Sequence, residues 1–198
     1  MIGRIAPQHE SLTLSFLKLP LALVCERLTT MLPEIEDAVF KKNDGFYYLR
    51  DCFIGVPPAG AAHKVRLLAL SPAPRKFVLF TANLEDGWSS VAYKLSKEFN
   101  TNALILRLST GDVSCPARSF TWTKGLDVIR HVAVRLEDKW SFFQEGASLS
   151  QEDVRPYENR LISSRLTNEN LITLAQSLGF PIELESELSG TGTLFVQS

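Results

Sequence analysis

The sequence predicts an α+β fold: a mostly antiparallel sheet with helices packed on one face. Three observations support this. Short stretches of alternating apolar and polar residues recur along most of the chain, punctuated by Gly, Asn, Asp and Pro. Two stretches with apolar residues at helical spacing each follow a single strand-like segment and precede several more. A third helical region is confined to the C-terminal quarter.

Ser11 to Leu19 places Leu12, Leu14 and Phe16 on one side, as a half-buried strand does. Pro20 suits a helix start, where its missing N–H costs nothing. Leu21, Val24, Cys25, Leu28 and Leu32 then mark an amphipathic helix that stops before Pro33. Lys42-Asn43-Asp44-Gly45 is a turn signal between two apolar runs and predicts a hairpin. Residues 56–63 hold two prolines and Gly60 and read as a loop, followed by a strand over 65–70.

The order then repeats. A strand over 76–80 and a turn at 83–87 lead into a helix marked by Trp88, Val91, Ala92, Leu95 and Phe99. Strands follow over 102–108, 118–123, 128–136 and 139–143. Segments 11–70 and 76–143 thus begin with the same order of elements, a tandem βαβββ pseudo-repeat with one further strand closing the second copy and without residue-level similarity, within a single unit covering 1–198. Residues 150–179 predict a helical hairpin. Ser150 and Asp153 resemble a capping box, Val154, Tyr157, Leu161 and Ile162 form a stripe, and Thr167 caps a second helix that ends at Gly179 before Pro181. Residues 181–198 form an acidic tail, read as a terminal strand or arm.

Composition narrows the function. The chain is 45% hydrophobic and 22% charged, with a formal net charge of −1, an ordinary globular balance without the field of a nucleic-acid or anionic-membrane binder. Three cysteines, Cys25, Cys52 and Cys115, form no CxxC pair and fit a reducing compartment. Lys18 splits the apolar run ahead of Cys25, and Val24 is not the small residue that signal cleavage needs. A cytoplasmic location without a membrane partner is the expectation.

Few residues combine into a chemical pattern. His9, His63 and His131 lack zinc-ligand spacing. Cys115 with His131 could meet only through folding, and Cys115 precedes Pro116 rather than a helix N-terminus. Gly55 to Gly60 has Walker glycine spacing but Ala61-Ala62 where Lys-Ser/Thr is required. Gly190 and Gly192 precede a strand-like run, the reverse of a dinucleotide fingerprint. The Glu85-Asp86 pair complements the start of a helix. Phe120, Trp122, Lys124, Arg130 and Arg135 would gather aromatic and basic groups on one hairpin, a feature some nucleic-acid sheets use and sheet cores use more often.

The expectation is therefore a non-enzymatic protein-binding module without a cofactor or metal, such as an immunity-type toxin-neutralising protein or a small adaptor or chaperone. Beyond residue 150 seven acidic residues stand against three basic ones, an asymmetry suited to a basic partner. Glu183, Glu185, Glu187, Trp122 and Arg130 are the candidate contact residues. The alternatives are an enzyme or small-ligand binder with a pocket between the two halves, and a nucleic-acid-associated subunit.

Overall fold

The computed structural model describes residues 10–32, 35–36, 45–47, 52–53, 64–72, 77–109, 116–180 and 188–197. They form one antiparallel sheet of ten strands: β1 (Ser11–Leu17), β2 (Ile35–Glu36), β3 (Gly45–Tyr47), β4 (Arg66–Pro72), β5 (Val78–Ala82), β6 (Asn102–Ser109), β7 (Ala117–Lys124), β8 (Asp127–Leu136), β9 (Trp140–Glu145) and β10 (Leu188–Gln197). The spatial order is β2-β10-β4-β5-β1-β6-β7-β8-β9, with β3 also pairing β10. Three helices lie wholly among the described residues: α1 (Leu21–Met31), α2 (Ser89–Glu98) and α3 (Asn168–Ser177).

The alternation of β1 explains the sheet's centre. Leu12, Leu14 and Phe16 point to one face and Ser11, Thr13 and Ser15 to the other, and all six are buried. Both faces are therefore covered. α1 and α2 lie on the face of Leu17, Leu67, Val78, Phe80 and Ala103. They are tied to each other by an Arg27–Glu98 ion pair at 2.6 Å. α3 and two 3₁₀ turns lie on the opposite face, over Leu14, Phe16, Leu106, Phe120, Val132 and Val134. The expected single helical face is thus corrected to three layers. Periodicity shows that a helix has a buried stripe, but not which side of the sheet receives it.

The small hydroxyls of β1 have a packing consequence. They let the β5–α2 turn lie directly on the strand, where Gly87 (φ +58°) sits so close that an added Cβ would meet the Thr13 carbonyl oxygen at 2.6 Å. Thr13 Oγ1 donates to the Glu85 carbonyl at 2.9 Å, and Thr81 Oγ1 donates to the Thr13 carbonyl at 2.7 Å. Ser15 Oγ is fully buried without a hydrogen-bond partner among the described residues.

The two sequence segments with similar element order interleave. β1 and β5, the first strand of each, are neighbours; β4 flanks β5, and β6 flanks β1. The C-terminal hairpin is also corrected. Residues 155–158 and 162–164 are 3₁₀ turns, and only α3 is an α-helix there. Pro156 removes an N–H and obstructs the preceding turn, and Ser164 Oγ bonds back to the Leu161 carbonyl at 2.8 Å. α3 starts as its sequence implies, with a reciprocal Thr167–Asn170 capping box. It ends at Gly179 (φ +87°), with the Phe180 N–H bonded to the Ala175 carbonyl. Of the acidic tail, β10 pairs with β2, β3 and β4, whereas Glu183, Glu185 and Glu187 lie outside the described residues. Most of the hairpin predicted around Lys42-Asn43-Asp44-Gly45 and the 56–63 loop also lie outside them.

Candidate functional site

Among the described residues, the buried charged chemistry centres on Arg130. On β8, Arg130, Val132 and Val134 share the face that packs beneath the C-terminal 3₁₀ turns. The Arg130 side chain, expected on an accessible sheet face, is only 2% exposed, and so is the side chain of its partner Glu152. The guanidinium grips the carboxylate through two nitrogens: Nη2 to Oε1 at 2.7 Å, and Nε to both oxygens at 3.1 Å. Its remaining donors reach the Gly146 carbonyl at 2.7 Å, the Glu145 carbonyl at 3.4 Å and Gln144 Oε1 at 2.9 Å. Glu152 Oε2 also accepts from the Leu149 N–H at 2.9 Å. Burial pushes the Tyr157 phenol well above its ordinary value, and the hydrogen bond and negative charge of Glu152 act in the same direction.

This cluster is self-contained. Its donors and acceptors fasten residues 144–157 onto β8, which is a structural role and accounts for a buried charge that would otherwise be costly. Gly146 belongs to the same fastening. Its φ is +81°, and an added Cβ would collide with the Ile129 carbonyl oxygen. Trp122, the other described contact candidate, is half-buried against the core, with its ring 6.3 Å from Phe180. It faces Arg130 across the β7–β8 pair, just before a register shift that leaves Ile129 as an extra residue on β8. Phe120 is fully buried, so the aromatic groups of this hairpin serve the core.

The remaining chemical candidates are kept apart. Glu85 pairs with Arg107, which also donates to Ser11 Oγ at 2.9 Å. Asp86 accepts the Trp88 N–H at 3.0 Å beside a left-handed Trp88 (φ 57°) that leads into α2. His131 lies on the opposite face from Arg130, 2.9 Å from Thr121 Oγ1 through Nδ1. Desolvation lowers the His131 pKa most, Arg130 adds to the lowering, and a hydrogen bond to the Phe120 backbone and the charge of Glu145 oppose it. Cys115 lies outside the described residues. Among the described residues, no group of three or more His, Cys, Asp or Glu side chains could hold a metal ion. Nor is any helix among them long and apolar enough to cross a membrane.

What the sequence reading missed is on the surface. Beyond α2 the β7–β8–β9 meander carries exposed Leu126 (58%), Val128, Ile129 and Phe143 (52%). The Phe143 ring lies 5.7 Å from His131, and its residue pairs with Ala133. The available signal was the pair Phe142-Phe143 on one strand, because adjacent strand residues face opposite ways and only one of them can enter the core. Phe142 does so, packing on Tyr157 at 5.3 Å. No family model matches this chain, and no curated protein or solved structure matches it either.

Proposed function

We propose that this chain is a non-enzymatic protein-binding module that engages its partner through the outer face of the β7–β8–β9 meander. The observation that carries the proposal is the exposure of Leu126, Val128 and Ile129 near the β7–β8 turn and of Phe143 on β9, at the end of a sheet whose buried ion pair is occupied internally. Single exposed apolar residues are ordinary, whereas several within one meander of a sheet mark the kind of face that partners cover. The matching partner is a protein with an apolar groove, and Phe143 is the anchor that enters it. Neutralising a toxin, or acting as an adaptor or chaperone, requires only such a surface, and these are the roles proposed.

Glu85, Asp86 and His131 each have their own partners and converge on no common point. The test uses the immobilised full chain in an extract of its native host at low salt. A protein other than this chain itself, retained in fixed proportion by the wild type and lost with Phe143→Asp, supports the proposal. Leu161→Asp, at an exposed position on the other side of the sheet, should retain it. Equal retention by wild type and Phe143→Asp overturns the proposal.

A further inference from the structure

β9 ends the sheet. β8 lies on one side of it, and no described strand lies on the other. Its outer backbone N–H and C=O groups therefore form a template for another strand. Edge strands are commonly blunted by proline, by a central charge or by brevity. β9 has six residues, no proline, and no charge between its ends.

Its charges stand at the two ends and have opposite sign. Lys139 directly precedes the strand, and Glu145 is its last residue. Both are exposed, and neither side chain has an ion-pair partner among the described residues. Glu137, close to Lys139 in the turn, is engaged by Arg135 at 3.4 Å. Glu145 acts on His131 across the strand pair, but burial disfavours a positive charge there.

We propose that a second copy of this chain adds to β9 in antiparallel register, about a two-fold axis perpendicular to the sheet. Such an axis keeps each side chain on its own face only when a residue meets itself or one an even number of positions away. With Phe142 facing its own copy, Lys139 of each chain meets Glu145 of the other, Trp140 meets Gln144, and Ser141 meets Phe143. The neighbouring registers are worse. Centring on Ser141 opposes Glu137 with Glu145, which are like charges, and centring on Phe143 carries Lys139 past the end of the partner strand. The chosen register forms two ion pairs, covers part of each exposed Phe143, and continues the sheet from copy to copy. This inference does not depend on the partner proposed above.

Light scattering across a wide concentration range tests it. The wild-type chain should approach twice its 22.1 kDa mass. Lys139→Glu and Glu145→Lys should each weaken self-association roughly tenfold, because both symmetric pairs become repulsive. A mixture of the two variants should recover the dimer, since one copy then carries two acidic ends and the other two basic ends. Both positions are exposed, and unchanged thermal unfolding would show that the variants are folded. A wild-type chain that stays monomeric overturns the proposal. So does a dimer that ignores either substitution, or a mixture that fails to recover one.

Discussion

Replacing Glu152 by Ala would leave the Arg130 guanidinium buried without its counter-charge. Removing one member of a buried pair typically costs about 3–5 kcal/mol, because the remaining ion has left water without compensation. Here Gly146, Glu145 and Gln144 still supply three acceptors, so the lower end, about 3 kcal/mol, is expected. In a chain of this size about 1 kcal/mol corresponds to roughly 2–4 °C, so the melting temperature should fall by about 6–12 °C. Urea unfolding followed by tryptophan fluorescence gives the same quantity independently. The double substitution Arg130→Met with Glu152→Leu removes both charges and should be less harmful than Glu152→Ala alone, since a well-packed apolar pair can match a buried ion pair. Non-additivity is therefore the signature. If Glu152→Ala costs less than about 1 kcal/mol, or if the effects of the two sites simply add, Glu152 is not what compensates the buried charge.

Three further outcomes follow from the same geometry. Gly146→Ala should destabilise by at least about 1–3 kcal/mol, because it combines a positive φ with a collision at the Ile129 carbonyl, and thermal unfolding would read it. Ser15→Ala should be neutral or stabilising by about 1 kcal/mol, since it removes a buried hydroxyl that has no partner among the described residues; a clear loss in urea stability would show that the hydroxyl is satisfied. His131 has a lowered pKa, so the folded chain releases its proton more readily than the unfolded chain does. Its contribution is fully present above the ordinary value of 6.5 and is lost as pH falls below it toward the folded value. His131→Gln should flatten stability measured across that window, and an unchanged slope would place the titration elsewhere.

The sheet strands were legible where alternation met a turn signal. β1 and β6 to β9 fall close to where their patterns place them, and α1 and α2 follow from helical spacing. α3 was legible from Thr167 and Gly179, two residues with specific conformational demands. Pairing order was not legible, because β5 and β1 meet through contacts distant in sequence and no local pattern encodes a neighbour. Residues 154–162 imitate a helical stripe, but Pro156 and the inward pull on Glu152 give the segment another use.

The candidate site was read less well, for a related reason. Arg130 has the same parity as Val132 and Val134, which signals burial, yet a charge is credible there only once Glu152 is known to lie above it. Nothing local connects residues 130 and 152. The two adjacent phenylalanines on β9 were a better guide to the exposed face than the dispersed acidic and nucleophilic residues.

The proposed partner surface is the one around Phe143. Its most direct test places a photo-crosslinking residue at position 143, and in a second sample at position 161, in the otherwise unaltered chain within its native host. A single dominant adduct with a different protein at 143 that is missing at 161 is the predicted result. Adducts of equal yield at both positions, or none at 143, would contradict it.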